Sequence, residues 1–336
     1  VEKLAARRAH NPKVVGSSPT PATNQNQPPK AAFFILKNMN QHKAGFVNII
    51  GKPNVGKSTL MNALLGEKLS IITNKAQTTR HRILGLANGT DYQMVFSDSP
   101  GILDPKYKLH ERMMNFVDES LSDADIILFV IETGDQLRES ENESKYRNVI
   151  DKLSKIDVPV ILVLNKIDKI QAEEIAKHLE YWKSKISFAE IIPVSATQFT
   201  GVDKLLNRLL ELLPESPPYF DKDSISDKPL RFFAAEILRE KIFLNYKKEI
   251  PYSCEVEIEE YKESDTIDHI KAVINVERES QKPIVIGNKG MALKNTATQA
   301  RKDLEEFLGK KVYLEVFVKV KDNWRSNENQ LKRFGY

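Results

Sequence analysis

The sequence predicts an α/β domain built on a doubly wound, mostly parallel sheet, followed by a smaller α+β domain. Apolar runs such as Ile126 to Ile131 and Val158 to Leu164 are short and end in polar residues, which is typical of buried parallel strands. After residue 229 the pattern changes to a helix, two strands, two helices around a glycine turn, and a strand. With 336 residues, 41% of them apolar, the chain is long enough for about two domains.

Composition excludes several classes of protein. The single cysteine, Cys254, excludes a disulfide framework and a cysteine-rich zinc cluster. The longest apolar runs fall well short of the roughly 18 residues typical of a membrane span. Charge is polarised in the last third of the chain, where residues 249–279 hold 3 basic and 10 acidic residues and residues 282–333 hold 12 and 6. A basic half fits either an anionic polymer or a solvated helix face.

Residues 1–42 are rich in Pro, Asn, Gln, Ser and Thr, and they predict a disordered tail that cannot bury enough apolar surface to fold. The segment Val15 to Pro19 resembles the translation of the conserved T-arm of a transfer-RNA gene. One hypothesis is that the native protein starts at Met39 and lacks residues 1–38. The alternative is a genuine disordered tail.

Residues 46–50 predict a strand that leads into GKPNVGKS, residues 51–58, and then into a helix. This is G-x-x-x-x-G-K-S in the strand–loop–helix context of a phosphate-binding P-loop. Lys57 is expected to neutralise the β- and γ-phosphates, and Ser58 to ligate Mg²⁺ through its hydroxyl. The predicted nucleotide contacts of this loop are Gly51, Lys52, Pro53, Asn54, Val55, Gly56, Lys57, Ser58 and Thr59.

Two further loops are predicted to sense the γ-phosphate. A strand from Met94 to Ser97 ends in the sequence Asp-Ser-Pro-Gly, whose aspartate can reach Mg²⁺ through water and whose glycine N–H can bond the γ-phosphate. The loop Lys-Ala-Gln-Thr-Thr-Arg, residues 75–80, is expected to supply a second hydroxyl, from Thr79 rather than Thr78. The predicted nucleotide contacts of the Asp-Ser-Pro-Gly loop are Asp98, Ser99, Pro100 and Gly101. The predicted metal ligands are Ser58, Thr79 and Asp98. The predicted catalytic residues are Lys57, Thr79, Gly101 and Asn54.

The strand ending at Leu164 is followed by Asn-Lys-Ile-Asp, residues 165–168, and a later strand runs into Ser-Ala-Thr, residues 195–197. The Asp168 carboxylate can accept two hydrogen bonds from guanine, whereas adenine has no such donor pair. Four motifs in order, each at the end of a strand, predict a GTPase domain over residues 43–214. Its predicted base contacts are Asn165, which ties the loop to the phosphate loop, Lys166 over the base, Asp168, Ser195, Ala196, whose N–H donates to guanine O6, and Thr197.

The position after the Asp-x-x-Gly motif holds Ile102, where many small GTPases have a glutamine that orients the attacking water. Catalysis must use another group. We hypothesise that the Asn54 amide holds K⁺ against the phosphates and so replaces the charge of an arginine finger. The alternative is that Asn54 only braces the loop.

Prolines at 214, 217 and 218 predict a linker over residues 215–228, followed by a second domain over residues 229–336. The element order around Gly-x-x-Gly, residues 287–290, is that of a type II KH domain, which binds single-stranded RNA. The predicted RNA contacts are Gly287, Asn288, Lys289, Gly290, Lys294, Arg301 and Lys302.

Together these residues closely resemble the Era family, bacterial GTPases with a C-terminal KH domain. The resemblance spans about residues 43–336 and includes residues 75–82, 285–290 and 324–336. It implies binding to GTP, GDP and Mg²⁺, and to the 3′ end of 16S ribosomal RNA in assembly of the 30S ribosomal subunit. It further implies a cytoplasmic monomer with peripheral association at the inner membrane, although the sequence contains no obvious lipid-inserting helix.

Two other functions remain open from the residues. In one, the protein is a non-enzymatic RNA-binding assembly factor in which GTP only stabilises the fold. In the other, it is a GTPase whose second domain binds protein or membrane. Single-turnover hydrolysis discriminates the first alternative, and crosslinking to RNA in cells discriminates the second.

Overall fold

The structure is a computed structural model that describes residues 42–133, 146, 147, 149–184 and 187–336. The predicted tail therefore lies outside the described residues, except for His42. Two sheets, one of six strands and one of three, organise the described chain. We call the six-stranded sheet with its helices the first domain and the three-stranded sheet with its helices the second domain.

The first domain alternates strands and helices as its sequence predicts. Its elements are β1 (Lys43–Gly51), α1 (Lys57–Leu65), β2 (Ile83–Asn88), β3 (Tyr92–Asp98), α2 (Lys108–Ser122), β4 (Ile126–Glu132), β5 (Val160–Asn165), α3 (Ala172–Lys183), β6 (Glu190–Val194) and α4 (Val202–Leu212). The sheet order is β2-β3-β1-β4-β5-β6, and only β2 runs antiparallel to its neighbour. Helices cover both faces, so strands such as β4 and β5 are buried along almost their whole length.

The carboxyl ends of the parallel strands meet at one edge of this sheet. β1 ends at Gly51, β3 at Asp98, β5 at Asn165 and β6 at Val194, and each predicted nucleotide motif begins there. In a doubly wound sheet this edge is where ligands bind.

The segment between the domains packs along the open edge of the first sheet. The N–H of Leu86 in β2 donates to Ile225 O at 3.0 Å, and the Ser226 hydroxyl donates to Leu84 O at 2.5 Å. Gln93 accepts hydrogen bonds from the N–H groups of Tyr219 and Phe220. The linker thus covers strand edge groups that would otherwise be unpaired.

The second domain contains α5 (Leu230–Asn245), α6 (Ile250–Ser253), β7 (Cys254–Lys262), β8 (Ile267–Val276), α7 (Lys282–Ile286), α8 (Met291–Leu308), β9 (Lys311–Val320) and α9 (Glu328–Arg333). β8 is the central strand, antiparallel to β7 and parallel to β9. β7 begins at Cys254, directly after the short helix α6, which has Pro251 near its start. α8 follows the glycine turn, as the order of elements in the sequence predicts.

The last residues of the chain pack onto helix α2 of the first domain. Leu109 and Met113 on that helix form an apolar cluster with Trp324, Leu331 and Tyr336. Within the described residues, none of the helices combines the length and the apolar character that crossing a membrane requires.

Candidate functional site

The phosphate loop begins where β1 ends at Gly51 and closes at Gly56, directly before helix α1. Gly56 has a φ of +99°, and a Cβ there would lie 2.3 Å from Nδ2 of Asn165. A Cβ on Gly51 would lie 2.3 Å from the carbonyl oxygen of Val130. Both positions therefore require glycine, which lets the loop curl tightly with its N–H groups available to an anion.

Lys57 opens helix α1 and is buried, with 6% of its surface exposed. Its Nζ donates to the carbonyl oxygens of Gly51 at 3.2 Å and Lys52 at 3.0 Å. Burial lowers the pKa of Lys57 to about 8, and the charge of Asp98 opposes this shift. The ammonium lies over the loop, where phosphate oxygens would compensate its lost hydration.

The three predicted metal ligands lie together. The Ser58 hydroxyl donates to Asp98 Oδ2 at 2.6 Å and lies 2.9 Å from Thr79 Oγ1. Thr79 Oγ1 also lies 3.5 Å from Asp98 Oδ2. Thr78 faces elsewhere, since its hydroxyl contacts Thr73 Oγ1 and Lys75 O.

This oxygen set fits Mg²⁺. Burial raises the pKa of Asp98, while Lys57 and the Ser58 hydrogen bond lower it. The other carboxylate oxygen of Asp98, Oδ1, is buried and has no hydrogen-bond partner. Across the described residues no group of three or more His, Cys, Asp or Glu side chains could hold a metal. The mixed set of two hydroxyls and one carboxylate is of the kind that nucleotide-bound Mg²⁺ uses.

The Asp-x-x-Gly loop touches the phosphate loop directly. A Cβ on Gly101 would lie 2.6 Å from the backbone nitrogen of Pro53. The N–H of Ile102 donates to Gly51 O at 3.1 Å, and the Ile102 side chain packs against the apolar core. Asn54 is exposed, with a φ of +66°, and its amide donates to Asn74 O at 3.2 Å. The structure therefore places Gly101 against Pro53, the residue that precedes Asn54 on the phosphate loop.

The base-binding motifs also meet. Asn165 Nδ2 donates to Val55 O at 2.9 Å, so it does tie this loop to the phosphate loop. The Ser195 hydroxyl donates to Asp168 Oδ1 at 2.6 Å and fixes the carboxylate. The Ala196 N–H donates to Asn165 Oδ1 at 3.2 Å, whereas the sequence predicts it to be a donor to guanine.

Sequence reasoning missed two residues that hold Lys166. The Lys166 Nζ pairs with the Glu132 carboxylate and donates to Asn54 O at 2.6 Å. The Thr133 hydroxyl donates to Lys166 O at 3.0 Å, where the Lys166 backbone has a φ of +65°. The positions of the strands could have indicated the contact with Glu132, because Glu132 lies beside Asn165 in the register of β4 and β5.

The Gly-x-x-Gly turn lies between α7 and α8. Gly287, Lys289 and Gly290 all have positive φ, of 74°, 49° and 79°. A Cβ on Gly287 would lie 2.5 Å from Ala292 Cβ, whereas nothing lies within 4 Å of one on Gly290. The outer side of the turn is therefore open for a backbone to approach.

Of the other predicted RNA contacts, Asn288, Lys289, Lys294 and Lys302 are exposed. Arg301 instead pairs with Glu305 within helix α8, at 2.7 Å. Sequence reasoning missed two exposed apolar side chains beside the turn, Ile284 at 52% and Met291 at 66%. Their exposure provides an apolar surface for unstacked bases.

The sequence does not predict the junction between the two domains. We call residues 72–80 the Thr79 loop. The Ile72 N–H donates to Glu240 Oε1 at 2.9 Å, and the Lys75 ammonium donates to Phe243 O and to Tyr246 O. The loop that supplies Thr79 therefore also binds the second domain.

Arg80, directly after Thr79, is fully buried in this junction. Its Nη1 lies 2.8 Å from both Glu255 Oε2 and Cys254 O, and its Nη2 donates to Pro251 O at 3.1 Å. A cleft of about 480 Å³ is lined by Pro53 of the phosphate loop, by Gln77 of the Thr79 loop and by Tyr252 of the second domain. The phosphate loop and the second domain thus face a common space.

Comparisons with known proteins agree with this geometry. A family described as "50S ribosome-binding GTPase" matches residues 46–166, and the KH domain family matches residues 249–325. A relative from Oryza sativa subsp. japonica, "GTPase ERA-like, chloroplastic", is 47% identical over 297 residues, which cover 88% of this chain and 70% of that protein. "GTPase Era" of Syntrophus aciditrophicus is 44% identical over 296 residues, 88% of this chain and 95% of that protein.

Among solved structures, the chain is similar to "Era in complex with MgGDPNP and nucleotides 1506-1542 of 16S ribosomal RNA". The TM-score is 0.83 and the identity 44%, over 88% of this chain and 99% of that one. The predicted order of a P-loop GTPase domain and a KH domain is therefore confirmed.

Proposed function

The chain belongs to the Era family of GTPases, and from that premise we propose that it is a GTP-hydrolysing switch that binds the 3′ end of 16S ribosomal RNA and acts in assembly of the 30S subunit. The RNA substrate follows from the related Era structure, which contains MgGDPNP and nucleotides 1506–1542 of that RNA. We further propose the domain limits 43–214, 215–228 and 229–336.

In the proposed reaction, Lys57 neutralises the β- and γ-phosphates while the loop N–H groups hold their oxygens. Ser58, Thr79 and Asp98 would hold Mg²⁺, which when bound neutralises charge that develops on the phosphates. The Gly101 N–H donates to the γ-phosphate and loses this partner on hydrolysis. Asp168, fixed by Ser195, selects guanine.

The attacking water must be activated by a group other than the glutamine that many small GTPases use. The Ile102 side chain has neither a donor nor an acceptor and packs against the core. We propose that K⁺ at Asn54 supplies positive charge near the γ-phosphate instead. Two features support this role: Asn54 is exposed, and it lies on the phosphate loop next to Pro53, which contacts Gly101.

The proposed switch rests on one observation: the Thr79 loop contacts both the metal-ligand residues and the second domain. Thr79 lies beside Ser58 and Asp98, while Ile72, Lys75 and Arg80 on the same loop bond to the second domain. Loss of the γ-phosphate and Mg²⁺ would release Thr79 and change these contacts. RNA engagement would then depend on the bound nucleotide.

The family also suggests a cytoplasmic monomer that associates peripherally with the inner membrane, and we include this in the proposal. Cell fractionation and sedimentation of the purified protein test it. Recovery in the soluble fraction alone would contradict the membrane association, and a stable dimer would contradict the monomer.

Crosslinking with RNA sequencing in cells tests the function. We expect reads to concentrate at the 3′ end of 16S ribosomal RNA and to fall in a Lys289→Gln, Lys294→Gln variant. Single-turnover GTP hydrolysis, with Lys57→Ala as the inactive control, tests the enzymatic part. Absence of 16S reads would overturn the substrate, and hydrolysis no faster than in Lys57→Ala would favour a structural role for GTP.

A further inference from the structure

Tyr246 connects the two helices on either side of the Gly-x-x-Gly turn. It directly follows helix α5, and only 6% of it is exposed. Its hydroxyl donates to Val285 O in α7 at 2.7 Å and accepts from Thr296 Oγ1 in α8 at 3.3 Å. Val285 and Thr296 are both fully buried, and Val285 lies two residues before Gly287. One phenol therefore fixes both sides of the turn.

The backbone of the same residue is held from the other domain. Lys75 Nζ donates to Tyr246 O at 2.5 Å and also to Phe243 O. Carbonyls at the end of a helix lack intrahelical partners, and the helix dipole favours a cation there. Lys75 lies four residues before Thr79, on the loop that faces the phosphate site.

The end of α5 is anchored to the RNA-side helix by a second side chain. Asn245 Nδ2 donates to Thr296 Oγ1 and to Gln299 Oε1 on α8, each at 3.1 Å. Asn245 and Tyr246 together thus link the α5 terminus to α8, and Tyr246 links it to α7.

Building on the GTP-dependent RNA binding proposed above, we propose that Tyr246 is a positioning residue that links the Thr79 loop to the Gly-x-x-Gly turn. A nucleotide that moves Thr79 changes the hold of Lys75 on the Tyr246 carbonyl. The Tyr246 hydroxyl then shifts Val285 and Thr296 and alters the approach of RNA to Gly287–Gly290. Nucleotide binding itself does not need Tyr246.

The experiment measures the affinity of the full chain for a synthetic RNA of nucleotides 1506–1542 of 16S ribosomal RNA, with Mg²⁺ and either GDP or GDPNP. For the natural sequence we expect GDPNP to raise the affinity about fivefold or more, the lower end of typical coupling. Tyr246→Phe and Lys75→Met should each bring the ratio of the RNA affinities in GDPNP and in GDP close to one. Neither change should alter the affinity of the protein for GDPNP itself. Lys75→Arg, which keeps a donor for the two carbonyls, should restore the ratio.

Lys68→Met is the matched control. Lys68 also crosses between the domains, to Glu240 at 2.9 Å and to Asp303 of α8 at 3.7 Å, and neither of these ion pairs involves Tyr246. Lys68→Met should keep the full ratio. If Tyr246→Phe weakens folding of the second domain, the ratio of RNA affinities in Lys75→Met tests the proposal, because Lys75 lies outside that domain.

The outcomes separate this inference from the function on which it rests. A ratio near one for the natural sequence would overturn the switch itself and the role of Tyr246 with it. A large ratio that persists in both Tyr246→Phe and Lys75→Met would overturn the role of Tyr246 alone. An equal loss in Lys68→Met would show a general effect of the junction and would also overturn it.

Discussion

Arg80 and Glu255 form a fully buried ion pair across the domain junction, with 2.8 Å between Nη1 and Oε2. The two residues lie 175 positions apart in the chain. Arg80 also donates to three backbone carbonyls of the second domain, at Cys254, Pro251 and Tyr252. The residue next to Thr79 is therefore held by the KH domain.

Replacing Arg80 with Met should destabilise the junction strongly. Glu255 would keep a buried charge without its partner, and losses of this type are about 3–5 kcal/mol. Urea unfolding followed by tryptophan fluorescence measures the change; Trp324, buried at this junction, and Trp182, buried in the first domain, both contribute. Arg301→Met, which breaks a more exposed pair with Glu305, should cost far less because water screens that pair. Equal effects of the two changes would contradict the assignment.

Asp168→Asn should shift preference from guanine to xanthine nucleotides. The carboxylate accepts two donors of guanine, whereas an amide can donate to the second carbonyl of xanthine. Competition of GTP and XTP for the purified protein measures this change. Asp203→Asn, an exposed acid at the start of helix α4, should leave selectivity unchanged. Unaltered selectivity in Asp168→Asn would undo the base assignment.

GTP hydrolysis should be faster in KCl than in NaCl at the same ionic strength. A positive charge fixed near the γ-phosphate stabilises the transition state, and one such electrostatic contact is worth about 10²–10³ in rate. Asn54→Ala should abolish the difference between the salts. Asn74→Ala should retain it, because only the backbone carbonyl of Asn74 contacts Asn54. Equal rates in the two salts for the natural sequence would remove K⁺ from the mechanism.

RNA affinity should fall with salt, and Lys289→Gln should reduce the slope. Each phosphate contact to a single strand contributes about 0.7 to the slope of log K against log salt. Lys289 is exposed at the turn, so we expect Lys289→Gln to leave the fold intact. Lys332→Gln, an exposed lysine of helix α9, serves as the control. A slope that Lys289→Gln leaves unchanged would exclude this side chain from phosphate contact.

Acid should weaken the domain junction through His81, whose ring stacks on Tyr336 with centroids 4.2 Å apart. Burial lowers the pKa of His81 from 6.5 to about 3. Below pH 6.5 the unfolded chain therefore binds a proton at His81 that the folded chain does not bind. The free energy of unfolding is highest above pH 6.5 and falls as the pH drops toward 3. The slope from this one group is at most about 1.4 kcal/mol per pH unit.

His81→Phe keeps the aromatic contact and removes the proton site, so unfolding free energy should vary less between pH 4 and 6.5. The charged groups that face His81 remain in the variant; they are Glu255, which favours protonation, and Arg239, Lys228 and Arg80, which oppose it. His110, whose pKa is lowered to about 4, gives a residual slope in both proteins. An unchanged pH profile would show that His81 does not titrate across unfolding.

The sequence by itself determined the fold class and the location of the nucleotide motifs. Each motif is a run of neighbouring residues whose backbone chemistry is local: Gly51 and Gly56 permit the loop, and Lys57 opens the next helix. Because parallel strands end at a common edge, the sequence order was enough to bring Ser58 and Asp98 together.

The tertiary structure alone decided how the domains meet. Arg80 reads in the sequence as part of a polar loop, yet it is buried against Glu255, and Lys75 reaches Tyr246 from 171 residues away. Neither partner could be predicted from spacing, because these contacts depend on how two separately folded surfaces dock. Burial and pairing of charge are properties of that docking, and no local pattern of residues encodes them.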